Sequence, residues 1–348
     1  MSCQCAIPYL RILLDEGRNW STNKAGVAAY IDRIRSAGFN AIMPCIWHGA
    51  GTTWNSDVEP VRDASYQSSF DAFDTLLKLC KRYRIICMPW FCVSIAQRAG
   101  MHPEWALNNG TITDGGDAHY SIWDNDFRGW INTLIDEFTG RYAIDGMFLD
   151  FTRSGTIYQT TPGRVLYAQD TGRDWANDFE LWVNSPGRCP HMSGWIERYV
   201  TSLMREIVNT IKRNLPNAKQ TAYGRIYLGN PASPANQTDY MQGRRIREWL
   251  EAGLIDYIFN TDYNETINFS RLREEKECVD PRLRKKIIGL IANYVINSIT
   301  QPMSAAKLVQ NIEMMKKFEL SEGGIAIYLD SHLTAGQVTA LAEGPFKR

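Results

Sequence analysis

Two residues three apart, Asp150 and Arg153, stand at the end of the apolar run Ile144 to Phe151, inside the segment Arg141 to Ser154. That run is too short for a helix, and its alternation puts Gly146, Phe148 and Asp150 on one face. A carboxylate closing a core strand is costly to desolvate unless it is paired or lies in a wet cleft, so it is a candidate for acid, base or nucleophile chemistry. An ion pair fastening a loop would use the same two residues. A second carboxylate, Asp262, ends another apolar run, Ile255 to Asp262. Paired carboxylates are what glycosidic cleavage needs: one protonates the leaving oxygen and the other attacks or activates water. For Asp262 a structural role is equally open; the leading expectation pairs the two, with Asp150 as nucleophile or base and Asp262 as acid.

The elements that must position them alternate along the chain. Strands are expected at Tyr9 to Asp15, Phe39 to Trp47, Ile85 to Phe91, Ile144 to Phe151, Ala218 to Tyr223, Ile255 to Asp262, Lys286 to Tyr294 and Gly324 to Asp330. Helices fall between them: one capped by Ser21 or Thr22 and running to Gly38, then Phe70 to Tyr83, Asn125 to Tyr142, Trp195 to Asn214, Met241 to Ala252 and Ser304 to Phe318. Eight such units with no break in composition predict a single-domain (β/α)8 TIM barrel over residues 1–348, with long loops at the C-terminal rim where barrel active sites lie. A doubly wound sheet is the alternative, but no GxGxxG follows the first strand.

Under that geometry the strand ends supply Asp15 and Glu16, Trp47 and His48, Trp90, Asp150 and Arg153, Tyr223 and Arg225, Asn260, Asp262 and Tyr263, Asn293 and Tyr294, and Asp330 and His332. Arg153, Trp47, His48, Trp90, Tyr223, Asn260, Tyr263, Asn293 and Asp330 are the expected substrate contacts. Amides, carboxylates and aromatic rings around one cleft suit a polyhydroxylated ligand. Loop capping competes with that role for Asp15 and Asp330, and core packing for Trp47, Trp90 and Trp105. Asp145 and Asp256 stand at strand starts and read as structural, and the run Arg271 to Glu277 reads as a solvated helix face. The long stretch Thr152 to Gly194 reads as an irregular wall over the rim, bringing Tyr158, Trp175 and Trp182 to the ligand.

Composition narrows the partners. The 38 basic and 38 acidic residues cancel, leaving no electrostatic footprint for nucleic acid or an anionic membrane, and no apolar run approaches the length of a membrane span. The five histidines are isolated, with no HxH, and the eight cysteines form no CxxC, so neither a metal nor another cofactor is expected. Free thiols and an N-terminus without secretory features point to synthesis in a reducing cytoplasm, with action outside the cell or in a virion still open. Nothing in the pattern fixes an oligomeric state.

Several segments together resemble the bacterial glycoside-hydrolase-like barrel families related to the DUF187 proteins. The matching pieces are Ala37 to Ala41, Trp54 to Ser56, Phe70 to Ala72, Cys87 to Phe91, His102 to Trp105, Asp136 to Ser154, Trp195 to Arg198 and Trp249 to Tyr263. More distantly the chain looks like the hydrolase domains that cut amino-sugar exopolysaccharides of biofilms. The resemblance implies a barrel fold, a carbohydrate substrate, Asp150 as the catalytic aspartate and Arg153 as its positioning partner. The chain departs from these relatives in having Phe151 where some have a second aspartate, Thr261 or Asp262 at a glutamine position, and no glutamate on the fifth strand. A catalytically silent carbohydrate-binding barrel is the alternative function.

Overall fold

The computed structural model describes residues 9–96, 101–102, 104–105, 119–154, 161–184, 189–224, 226, 242–296 and 300–347. Its strands are β1 (Leu10–Asp15), β2 (Ala41–Trp47), β3 (Ile86–Cys87), β4 (Trp90–Cys92), β5 (Gly146–Asp150), β6 (Lys219–Ala222), β7 (Tyr257–Asp262), β8 (Ile287–Ala292), β9 (Tyr294–Ile296), β10 (Thr300–Pro302) and β11 (Gly324–Tyr328). The helices are α1 (Lys24–Ser36), α2 (Ala72–Tyr83), α3 (Asn125–Arg141), α4 (Thr161–Thr171), α5 (Trp175–Asn184), α6 (Pro190–Asn214), α7 (Ile246–Glu251), α8 (Phe269–Glu277), α9 (Ala305–Lys317) and α10 (Ala335–Glu343). The large sheet runs β1-β11-β8-β7-β6-β5-β4-β2-β3, and β1 also pairs with β2, so the sheet closes on itself as an eight-stranded parallel (β/α)8 barrel, with β3 and β4 sharing one strand position. A small antiparallel hairpin, β9 with β10, stands apart.

Two compact units make up the chain. The first gathers Met1–Cys45, Gln67–Pro89 and Asp256–Arg348; the second gathers Ile46–Tyr66 and Trp90–Ile255. In the first, Leu10, Ile12 and Leu14 of β1 lie level with Gly324, Ala326 and Tyr328 of β11, and β11 continues in register onto β8. Both faces of these strands are buried, as parallel strands under a helical layer require. In the second, Trp90 and Cys92 of β4 lie level with Phe148 and Asp150 of β5, and Phe148 lies level with Thr221 of β6. Partners in register share a face, so these contacts fix which side chains turn toward the helices and which turn away.

Local chemistry explains where elements differ from the sequence pattern. The N-cap of α1 is Asn23, whose side chain accepts from the Gly26 N–H, because Ser21 and Thr22 are taken up in a 3-10 turn. The third strand is broken between Cys87 and Trp90. The stretch 152–194 is not an irregular wall: it holds α4, α5 and the start of α6. Pro162 lies in the first turn of α4 and Pro190 opens α6, positions where a missing N–H costs nothing. Trp182 is fully buried and donates from Nε1 to Ser193 Oγ at 3.2 Å, and Trp175 stacks on Phe179, so both rings serve packing rather than a cleft. Tyr158 and Arg225 lie outside the described residues. The helix expected over Met241 to Ala252 is the short α7; Met241 also lies outside them.

Candidate active site

The second unit builds its site around the turn that follows β5. Asp150 is buried, and its Oδ1 accepts from the Phe151 N–H at 2.7 Å. Phe151 adopts φ 50°, a left-handed conformation that costs a residue with a side chain on the order of 1 kcal/mol. The bend continues in a tight turn in which the Arg153 N–H donates to the Phe151 carbonyl at 2.9 Å. Ser94 holds it there: its N–H donates to the Phe151 carbonyl at 3.2 Å, and its hydroxyl lies 2.6 Å from that carbonyl and 2.9 Å from the Arg153 carbonyl. The Arg153 guanidinium lies over the Phe151 ring at 4.2 Å and reaches Gln242 Oε1 at 3.4 Å.

Face parity then sorts the neighbours. Trp47 packs against Phe91 and against Trp130 of α3, so it faces the helical layer and is core rather than a sugar platform. His48, one residue on, turns the other way and meets Trp90, which in turn packs on Phe148 at 5.6 Å. Asp150 shares the face of Phe148. Burial raises the Asp150 carboxyl above the usual carboxylate range, and the charges of Arg153, Arg244 and His48 with the Phe151 N–H offset that rise only in part. The result is a carboxyl that holds its proton beyond the ordinary range while cationic groups stand ready to stabilise its anion.

In the first unit the same parity test gives a different result. Asp262 faces α8. Its Oδ1 accepts from the backbone and side-chain N–H groups of Asn264 at 2.9 and 2.7 Å, and its Oδ2 accepts from the Asn268 N–H at 3.0 Å and Arg271 Nη2 at 3.1 Å. Those donors outweigh burial and lower its pKa. Asn260, on the same face, donates to the Leu272 carbonyl of α8 at 2.9 Å. Arg271 also pairs with the buried Glu275, so the stretch expected to be a solvated face is an anchor for the β7 loop. Asn293 is tied to Gln337 of α10 and to the Leu329 N–H, and Asp330 pairs with Arg33 of α1. Asp262, Asn293, Asp330 and the amide nitrogen of Asn260 are thus engaged by loops and helices. Tyr263 is turned away from α8 and packs on Tyr328 at 5.3 Å.

A family model described as "Glycosyl hydrolase-like 10" matches residues 14–307. The chain belongs to that glycosyl hydrolase-like 10 family. Among solved structures it is similar to the PgaB (BpsB) glycoside hydrolase domain from Bordetella bronchiseptica, with a TM-score of 0.74 at 12% identity over 96% of this chain and 98% of that one. It is also similar to the catalytic domain of β-amylase from Paenibacillus polymyxa, TM-score 0.60 and 12% identity over 96% and 95%. A third likeness is to α-L-fucosidase isoenzyme 2 from Paenibacillus thiaminolyticus, TM-score 0.63 and 12% identity over 97% of this chain and 48% of that one. At such identities these likenesses speak for the barrel fold. No curated protein sequence matches the chain.

Within this glycosyl hydrolase-like 10 barrel, three residues near Asp150 had no signal of their own in the sequence: Ser94, Gln242 and Arg244. Arg244 is buried and lies over the Tyr223 ring at 5.6 Å. It is delivered by the turn before α7, where Gly243 takes φ 71° and a Cβ would come within 2.9 Å of Val200. The glycine ahead of two arginines was the available clue, since only that residue fits a turn lying so close to α6.

A second buried polar cluster belongs to the first unit. Asp15 Oδ1 accepts from the Gly17 and Arg18 N–H groups, at 2.9 and 3.3 Å. Burial, then the neighbouring Asp330 carboxylate, push the Asp15 carboxyl up to about 7. Asp330 also rises through burial, held back by Arg33. A pocket of about 260 Å³ beside it is lined by Trp20, Gly26, Ala29, Tyr30, Arg33 and Asp330. Asp15 caps the loop after β1 through those two N–H groups, whereas Asp330 makes an ion pair with Arg33 of α1 rather than a loop cap. Among the described residues no three His, Cys, Asp or Glu side chains gather as a metal site requires, and no helix is long and apolar enough to cross a membrane.

Proposed function

We propose that this chain is a glycoside hydrolase that cleaves a polysaccharide or oligosaccharide, with bacterial amino-sugar exopolysaccharide as the first substrate class to test. The likeness to the PgaB glycoside hydrolase domain supports that choice of class. The observation that carries the reading is Asp150: a buried carboxyl at the C-terminal end of a barrel strand, raised in proton affinity, with cationic side chains around it. A carboxyl whose proton affinity is raised by burial can give its proton to the leaving glycosidic oxygen. Arg153, Arg244 and His48 then stabilise the anion left behind. The proposed role of Asp150 is therefore general acid, whereas Asp262, lowered in pKa and engaged by four donors, serves as a loop clasp. His48, Trp90, Tyr223 and Arg153 are the proposed sugar contacts of the second unit, and Tyr263 that of the first.

The test is product release. Wild-type protein incubated with a panel of bacterial exopolysaccharides should liberate reducing ends, and Asp150→Asn should not. Tight binding of a polymer without release by the wild type would instead make the chain a carbohydrate-binding barrel.

A further inference from the structure

The end of β1 carries two carboxylates, and they diverge. Arg11 and Asp15 share one face: Arg11 Nε donates to the Gly38 carbonyl after α1 at 2.7 Å, and Asp15 senses Arg33 of α1. Glu16 falls on the opposite face, that of Leu14, which lies level with Tyr328. The Tyr328 hydroxyl donates to Glu16 Oε2 at 2.7 Å. Around that bond stand two more rings, Tyr263 at 5.3 Å and Tyr294 at 5.9 Å from Tyr328, with His332 at 5.0 Å from Tyr294. Glu16, Tyr263, Tyr328 and His332 are half-buried, so this frame keeps a solvent-facing side.

The other strand-end carboxylates of the first unit, Asp15, Asp262 and Asp330, turn to α1 or α8. Glu16 alone among these four is set in aromatic surroundings on the face away from the helices. Aromatic faces take the apolar side of a pyranose ring, and a carboxylate accepts from its hydroxyls. We infer that Glu16 and its frame of Tyr263, Tyr294 and Tyr328 form a sugar-binding subsite, in which Glu16 accepts hydrogen bonds from the carbohydrate and Tyr328 orients it. The inference rests on the glycoside hydrolase reading and adds residues to it.

Affinity electrophoresis in native gels tests it, using Asp150→Asn to prevent turnover and gels cast with soluble chitosan, glycol chitin, hydroxyethyl cellulose, an α-glucan or a purified amino-sugar exopolysaccharide. At least one polymer should retard Asp150→Asn. Adding Glu16→Gln should weaken that retardation tenfold or more, Tyr328→Phe should weaken it less because the ring remains, and Asp15→Asn should leave it unchanged. Near-ultraviolet circular dichroism of each variant separates lost binding from lost fold; if Glu16→Gln fails to fold, Tyr328→Phe alone carries the decision. Retardation unaffected by Glu16→Gln and Tyr328→Phe, or lost equally with Asp15→Asn, overturns the subsite while leaving the glycosidase reading intact. No retardation by any polymer overturns both.

Discussion

Asp150 and Asp262 both close apolar strands, yet the turn after β5 and the loop after β7 treat them in opposite ways. The β5 turn gives Asp150 one backbone donor and deep burial, and the proton affinity rises. The β7 loop gives Asp262 four donors, including an arginine from α8, and the proton affinity falls. Both are nearly inaccessible, at 6% and 3% exposed, but Asp150 lies deeper, so depth of burial and the count and charge of donors together decide the direction. A strand-end carboxylate becomes a candidate for chemistry when the fold withholds partners from it. It becomes structure when the fold supplies them.

The contrast can be broken or sharpened at several points. Trp182→Ala should cost about 3–5 kcal/mol of stability, the scale for a buried aromatic truncated in a core, and leave KM for a hydrolysed polymer unchanged; chemical denaturation and steady-state kinetics check both halves. Asp262→Asn should cost about 2 kcal/mol through weakened charged hydrogen bonds to the β7 loop and α8. A depressed native pKa contributes stability present above the unfolded value and lost as pH falls through the native one, so the Asp262→Asn deficit should be full at neutral pH and shrink below about pH 4. Asp15 has the reverse sign. Its native carboxyl binds a proton that the unfolded chain releases, so wild-type stability should fall as pH rises from about 4 to about 7. Asp15→Asn should remove that decline, the titration being shared with Asp330. Thermal melts at half-unit pH steps would show a flattened curve, and an unchanged slope would remove Asp15 from the account.

The barrel was legible because its signal is periodic and redundant. Each of the eight expected strands overlaps an observed one, and the apolar runs end within a few residues of where the strands do. Facing was harder to read. Trp47 and His48 are neighbours, as are Asp15 and Glu16, and a list of strand-end residues cannot separate them, although alternation assigns them opposite faces. Asp262 and Asn260 were drawn into the site by strand position, while their partners Arg271 and Leu272 lie about ten residues on in what resembled a solvated helix. The contributions of Ser94 and Arg244 depend on the left-handed Phe151 and the close turn at Gly243, and neither conformation leaves a periodic trace. Helices α4 and α5 were missed because the Pro and Gly residues of α4 and of the stretch around both helices read as loop, whereas Pro162 falls where a helix tolerates it.

The most direct measurement compares Asp150→Asn with Asp262→Asn on one polymer that the wild type hydrolyses, scoring kcat by reducing ends beside the melting curve of each variant. Asp150→Asn should lower kcat by at least about 10²-fold, the scale of lost general acid catalysis, with its fold intact. Asp262→Asn should keep near-normal kcat and melt at lower temperature. A stable Asp262→Asn protein without turnover, beside an Asp150→Asn protein that still releases product, would contradict the assignment of Asp150 as the acid and Asp262 as the clasp.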